Sequence, residues 1–296
     1  MEIDQVEFAN RVRAWLRVTP LVVTFNSSHC LSGLANGIRD ATNLIVVDNA
    51  STDSSCDAVS RELPQATLIR LDSNRGFGAA NNAGLAHVVT EFVLLLNPDC
   101  IVDWKSIEML VSTMDQTPEA SCAAPSLIDR HGRRKSPGSR RIPRSPSDRS
   151  NMLEYITACG ACMLIRTKAM RTVGGFDETF FLYYEDDDLC IRLQRDAGAL
   201  VFVPDAEVHH HSRGSVGGSA LFQAEKLRGY HHIRSKFKFN EKYFGSPPNF
   251  FDLVRYAISS FVELLFRLIS IDTKRACRSY GRLMGVIDAG AWNGTR

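Results

Sequence analysis

The chain has 296 residues, of which 44% are hydrophobic and 23% charged. These are ordinary values for a folded protein of about two domains, or one large α/β domain, and they exclude a disordered, collagen-like or low-complexity chain. Lys and Arg number 35 against 33 Asp and Glu, a net charge of +2, so a whole-protein basic field for nucleic acid is excluded as well.

Eight cysteines, at positions 30, 56, 100, 122, 159, 162, 190 and 277, are too sparse for a disulfide scaffold. Most sit in apolar stretches and read as free thiols of a reducing compartment. Cys159 and Cys162 form a lone CxxC without a partner motif, which does not favour zinc. The opening MEIDQVEFAN carries three acids and a broken apolar pattern, unlike a secretory signal. No apolar run reaches the roughly 18 residues of a spanning helix. The expectation is a cytoplasmic protein.

In chain order, Leu21–Phe25 reads as a buried strand that stops at Asn26-Ser27-Ser28. Asn43–Val47 is a second strand, ending at Asp48-Asn49. Thr67–Leu71 is a third. Gly76–Val89 is small and helix-compatible. Phe92–Leu96 is a fully buried strand that stops at Asn97-Pro98-Asp99. Continuous apolar strands alternating with helices predict a mostly parallel α/β sheet. Ligands bind beyond the carboxyl ends of such strands, which is where Asn26, Asp48 and Asp99 fall. One acid after a strand is usually a helix cap; three polar residues from three segments point to a site.

Residues 130–149 hold eight Arg and Lys, against the single acid Asp148, with Pro137, Pro143 and Pro146 among them. The expectation is a mobile basic loop, either solvated or in contact with phosphate groups. Ile156–Ile165 is apolar. Gly174-Gly175 makes a turn, and the aromatic run Phe180–Tyr184 leads into Glu185-Asp186-Asp187-Asp188 at the start of a helix ending near Gly198. Ala199–Val203 is a short strand, followed by His209-His210-His211. From Phe250 to Ile271 a helix carries its polar residues on one narrow stripe and a wide apolar face. The expected use of that face is packing on the rest of the protein, with a membrane interface or a second subunit as alternatives.

Asp99 and His210, or a neighbouring histidine, are suited to share Mn²⁺ or Mg²⁺ whose remaining positions a substrate diphosphate fills. Such a cation offsets charge on a leaving nucleoside diphosphate. Four carboxylates in a row at a helix N-terminus exceed what capping requires, and one of them is placed to take a proton from an attacking hydroxyl. A base on one face and a leaving diphosphate on the other describe inverting displacement at a sugar carbon.

The strings VVTFNSS, LIVVDNASTDSS, NRGFGAANNAG, FVLLLNPD, CGACMLIR, VGGFDETFFLYYEDDDLCIRLQRDAG and VHHHSRGS resemble the family 2 glycosyltransferases, nearest to their rhamnosyltransferase-like branch. The resemblance runs from about Leu21 to Gly218. It implies a GT-A fold: a nucleotide-binding α/β sheet with an acceptor half and, here, a C-terminal helical extension. It implies Asp48 as the reader of the nucleotide base, with Asn74, Gly76 and Asn82 lining the donor and Arg213 on its diphosphate; Asn26, from its place at a strand end, is expected to bind the donor as well. It further implies Asp99 as a metal ligand, with Asn97 in place of the first acid of the DxD motif, and His210 as the second. Asp186 matches the catalytic base, supported by Glu185, Asp188 and Arg192. Arg17 and Pro20 depart from the family pattern, so the first strand is expected to start late or lie at an irregular edge.

The expected organisation is a GT-A domain over 1–244 (donor half about 17–125, basic loop 130–149, acceptor half about 151–244) and an amphipathic helical region over 245–296. The expected activity is inverting, metal-dependent transfer of a sugar, by resemblance L-rhamnose from dTDP-L-rhamnose, to a lipid-linked or cell-surface glycan. Expected partners are that donor, a glycan or polyprenyl-diphosphate acceptor, the inner membrane face, and a second copy through the C-terminal helices; nucleic acid is not expected. Alternatives are transfer of a hexose or N-acetylhexosamine from a UDP-sugar, and a non-catalytic nucleotide-sugar-binding scaffold.

Overall fold

The computed structural model describes residues 14–211 and 221–293. These form two compact units: 14–140 with 155–178 and 186–211, and 141–154 with 179–185 and 221–293.

The first unit is built on a nine-stranded sheet. Its nucleotide-type half comprises β1 (Val18–Thr24), α1 (Leu31–Ile38), β2 (Ile45–Asp48), α2 (Ser55–Glu62), β3 (Thr67–Arg70), α3 (Phe77–Leu85) and β4 (Phe92–Leu96). The strand order β3-β2-β1-β4 is parallel throughout. The remainder is β5 (Cys100–Ile101), α4 (Trp104–Gln116), β6 (Ala120–Ile128), β7 (Arg134–Lys135), β10 (Cys162–Arg166), α5 (Thr167–Thr172), α6 (Glu185–Asp196) and β11 (Ala199–His210); most of β8 (Gly138–Ser145) and β9 (Asp148–Thr157) falls in the second unit's segment 141–154. Here β10 runs antiparallel between β4 and β6, β11 is parallel to β6, and β5 closes the order as β11's antiparallel neighbour.

The uninterrupted apolar strands follow from burial on both faces. Val18, Val22 and Leu94 join the core beneath α1 and α4, whereas the alternate residues Leu21, Val23 and Leu95 join the core beneath α3 and α6. Gly84 lets α3 approach closely: a Cβ there would lie 2.3 Å from Leu21 Cδ1. Four cysteines (100, 122, 162 and 190) are buried, and Cys159 is exposed in the turn before β10; all eight are free.

Three expectations are corrected. β1 begins at Val18 and is a fully buried central strand, paired with both β2 and β4. The Arg17 carbonyl accepts from Phe92 on the β4 side, so alternation turns Pro20's nitrogen toward β2, whose pairing begins only at Leu21. The missing N–H therefore costs no ladder bond. The basic segment 130–149, expected as a loop, is largely extended: β7 pairs with β6, and β8 pairs with β9 as a two-stranded sheet. Proline fixes an extended-compatible φ and is tolerated where a strand has a free edge. The strand expected over 199–203 continues to His210 through a register shift between Val203 and Glu207, so two of the three histidines lie within it.

The second unit holds three helices, α7 (Leu221–Phe244), α8 (Phe250–Ile269) and α9 (Thr273–Asn293). A capping box starts α8: Asn249 accepts from the Asp252 amide at 2.9 Å, and the Asp252 carboxylate accepts from the Asn249 amide at 3.4 Å. Ile233, Phe237 and Val286 form a small apolar core. Beside it, buried Glu225 pairs with Arg228 at 2.8 Å and with Arg278. The aromatic run also belongs to this unit: Phe181 stacks on His231 with ring centroids 4.1 Å apart. No helix among the described residues is long and apolar enough to cross a membrane.

Candidate active site

The parallel half of the sheet delivers its polar residues at the carboxyl ends, where the order reverses between β1 and β4. Asp48, the last residue of β2, is buried. Its carboxylate accepts from Thr24 Oγ1 at 3.1 Å and from the Ser51 amide at 3.0 Å. Asn26 follows β1 with φ of 53°, a left-handed conformation that asparagine tolerates. Its side-chain oxygen accepts from the Thr52 amide at 2.8 Å, which ties the turn after β2 to the end of β1.

Asn74 and Gly76 sit in the loop before α3. Asn74 Oδ1 accepts from the Gly76 amide at 3.0 Å and from Asn49 Nδ2 at 3.0 Å. Asn49 also donates to the Gly76 carbonyl at 3.2 Å and accepts from the Arg75 amide at 2.9 Å. Asn49 is the residue that fixes this loop, and it was missed by the sequence reading. Its only signal was its place beside Asp48 at a strand end. Asn82, expected to line the donor, has its amide engaged elsewhere: Nδ2 donates to Phe176 O at 2.9 Å and Glu178 Oε1 at 3.0 Å, and Oδ1 accepts from Phe176 N at 2.8 Å. It braces α3 against the loop before α6.

Asp99 lies three residues past β4 and His210 ends β11. The antiparallel register of β11 on β5 pairs His210 with Cys100, and His211 N donates to Asp99 O at 3.0 Å. That pairing puts His210 Nε2 3.4 Å from Asp99 Oδ1. Asp99, Cys100 and His210 offer ligand atoms within 4.8 Å of one another. Carboxylate and imidazole fit a Mn²⁺ or Mg²⁺ ion. The Cys100 thiol does not: burial raises its pKa far above the ordinary value, and it donates to Ala161 O at 3.3 Å. Two such ligands would leave coordination positions open for other oxygen donors.

Asp186 is the second residue of α6. Burial raises its pKa to about 6, against the opposing effects of the Gly160 amide, which donates to it, and of nearby His210; Asp187 adds to the rise. Among the described residues its Oδ1 has no hydrogen-bond partner. Asp188 is fully buried and accepts from Arg192 Nε at 2.8 Å, while Arg192 also donates to Val173 O and Gly175 O at 2.8 and 2.7 Å. Arg192 and Asp188 thus fasten α6 to the preceding turn. Asp187 pairs with Arg140 at 2.6 Å, and Glu185 is buried at the helix start. Tyr183 and Tyr184, just before it, both have left-handed φ (69° and 67°). Two such residues in succession cost on the order of 1–2 kcal/mol each, a strain that bends the chain into this acidic helix start. Arg213 lies outside the described residues.

The Asp99 and Asp48 neighbourhoods meet at the turn before β10. A Cβ on Gly160 would sit 2.4 Å from Asp186 Oδ1 and 3.1 Å from Phe77 Cε1, and Ala161 O accepts from Asn97 N at 2.9 Å. Phe77 follows Gly76 of the donor-side loop.

Residues 21–174, more than half of the chain, match the model of Glycosyl transferase family 2. The chain belongs to that family. It is a glycosyltransferase, and the scaffold alternative falls away. Residues 145–214, which include Asp186 and His210, also match the model described as the N-terminal domain of galactosyltransferase. Among curated relatives of this family 2 enzyme, the N-acetylglucosaminyl-diphospho-decaprenol L-rhamnosyltransferase of Mycobacterium tuberculosis is 30% identical over 224 residues, covering 63% of this chain and 72% of the relative. The rhamnosyltransferase WbbL of Escherichia coli is 26% identical over 191 residues, covering 55% and 69%. Among solved structures, the mannosyltransferase PcManGT of Pyrobaculum calidifontis, in complex with GDP-Man and Mn²⁺, covers 97% of this chain and 94% of its own, with a TM-score of 0.54 at 17% identity. S. aureus TarS residues 1–349 with UDP-GlcNAc cover 93% and 92% with a TM-score of 0.51 at 14% identity. These likenesses show the fold, which is GT-A.

Proposed function

We propose that this family 2 glycosyltransferase transfers L-rhamnose from dTDP-L-rhamnose to a sugar on a lipid diphosphate, with inversion at the anomeric carbon. The observation that carries the sugar and the acceptor class is the 30% identity to an L-rhamnosyltransferase whose acceptor is N-acetylglucosaminyl-diphospho-decaprenol. In this reading Asp48 accepts a hydrogen bond from the nucleotide base, and the Asn49-braced loop at Asn74 and Gly76 cradles the nucleoside. Asp99 and His210 hold Mn²⁺ or Mg²⁺, which when bound offsets the charge of the departing diphosphate. Asp186 takes the proton of the acceptor hydroxyl as that oxygen attacks; Asp188 and Arg192 hold α6 in place beneath it. A base with its pKa raised to about 6 is ionised at neutral pH yet basic enough to accept that proton. Asn82 is assigned as a brace. The domain division at about 244 is retained in this proposal, with α8 and α9 as the extension and α7 as the last helix before it.

The test is a thermal-shift screen of nucleotides and nucleotide sugars with and without Mn²⁺ or Mg²⁺, followed by transfer assays. A metal-dependent shift with dTDP-L-rhamnose, and its turnover on a lipid-linked N-acetylglucosamine, supports the reading. A shift confined to a UDP-hexose or UDP-N-acetylhexosamine would replace the sugar assignment. Metal-independent turnover would remove the assignment of Asp99 and His210 as ligands.

A further inference from the structure

In α8 the usual amphipathic arrangement is reversed. The inward side carries Ser260, which is buried, and Glu263, which pairs with Arg282 of α9 at 2.8 Å. Arg267, one turn on, lies 3.8 Å from Glu263 and from Asp272. Leu253, Tyr256 and Ala257 complete the side packed on α7 and α9. The opposite side is a run of large apolar residues open to solvent. Phe251 is 80% exposed, Ile258 59%, Phe261 50%, Val262 58%, Leu265 44% and Ile269 82%. At about 3.6 residues per turn these fall on one face along the whole helix, and the cation Arg255 lies at its margin. Scattered exposed apolar residues need no explanation, but a contiguous patch of this length does.

Charge decides what covers it. Residues 221–293 contain 12 Lys and Arg against 6 Asp and Glu, a net charge of +6 in a protein whose total is +2. Exposed Lys274 and Arg275 stand just beyond the C-terminal end of the apolar face. Pairing α8 with a second copy would bring two units of charge +6 together, and like charges oppose that contact. An anionic lipid surface offers apolar depth for the phenylalanines and negative headgroups for the flanking cations.

We propose that the outward face of α8 is a membrane-interface helix that seats the second unit on anionic lipid. The helix lies in the plane of the interface and does not span it. The proposal does not depend on which sugar is transferred, and vesicles without acceptor test it separately from turnover.

The experiment is co-sedimentation of the full chain with vesicles of phosphatidylcholine alone or mixed with phosphatidylglycerol. The expected result is pelleting with the anionic vesicles, weakened at least tenfold in the Ile258→Ser, Phe261→Ser double variant. Because both positions are solvent-exposed, that variant should melt within a degree or two of the parent. Lys274→Gln should weaken binding about fivefold, from the roughly 1 kcal/mol that one cation contributes near such a surface. Failure of the parent chain to pellet with anionic vesicles overturns the proposal, whether sedimentation equilibrium then shows a monomer or a dimer that the double variant dissociates. Pelleting that neither variant weakens overturns it as well.

Discussion

The two units place their charges in opposite ways. In the helical unit the buried acid Glu225 has two arginines, and Glu263 has Arg282, so both acids drawn inward are met by cations while Phe251 and Phe261 of α8 face solvent. In the sheet unit the apolar residues are inside, and two acids of α6, half-buried Asp186 and buried Asp188, are treated differently. Asp188 is paired with Arg192; Asp186 is met by the Gly160 amide and the nearby His210 imidazole. A buried acid with a cation serves the fold, since breaking such a pair leaves an uncompensated charge. A buried acid left without one keeps a raised pKa and is available for proton transfer. On the proposed reading, this contrast within one helix separates a structural carboxylate from a chemical one.

The largest effect expected from this contrast is on turnover. Asp186→Asn should lower kcat by about 10²–10⁴-fold, with donor binding by calorimetry unchanged; near-normal kcat would break the distinction. In the parent enzyme kcat/KM should fall about tenfold per pH unit below about 6, because the base must be ionised to act.

Next in size is core against surface. Leu94→Ala, in the sheet core, should cost about 2–5 kcal/mol in denaturant unfolding. Leu268→Ala, in α8, should cost about 1 kcal/mol or less, because its side chain is already solvated. Similar losses would mean that α8 is covered in solution.

Gly160→Ala should destabilise by about 1–3 kcal/mol by overpacking and lower kcat as well, since the new methyl displaces either Asp186 or Phe77. A drop in Tm without a drop in kcat would show that the turn relaxes away from the carboxylate.

The smallest effect is the most diagnostic. A carboxyl with a raised folded pKa binds its proton more tightly folded than unfolded. Its ionisation therefore removes stability as pH rises from its ordinary 3.8 through about 6. Asp186→Asn should accordingly raise Tm by a few degrees at pH 7.5 and by nothing at pH 4. Asp188→Asn should lower it, because Arg192 loses its partner.

Much of this arrangement was legible in the chain. Asp48, Asp99 and Asp186 announced themselves because apolar strands and a helix start bring polar residues to one sheet edge. What was not legible depends on pairing between distant segments. The register of β11 on β5 selects His210 from three consecutive histidines, and the sequence could do so only by resemblance. Asn49 and Gly160 act through contacts with loops far along the chain, and their types carry no signal alone. The basic segment looked like a loop because its prolines and arginines hide a hairpin. In α8 the apolar periodicity correctly identified two faces, but periodicity says which face is apolar and not which is buried.

The turn that carries Gly160 also carries Cys159, whose side chain is exposed while Cys100, Cys122, Cys162 and Cys190 are buried. Burial raises the pKa of all four buried thiols, and of Cys30 and Cys56, which keeps them in the unreactive protonated form. A maleimide or iodoacetamide reagent applied to the folded enzyme therefore has exposed Cys159 as a point of attachment one residue from the glycine that touches Asp186, with half-buried Cys277 of α9 as the competing thiol to remove. The molecule comes supplied with a labelling position beside its proposed reaction centre, where a fluorophore would report donor and acceptor arrival without any engineered cysteine.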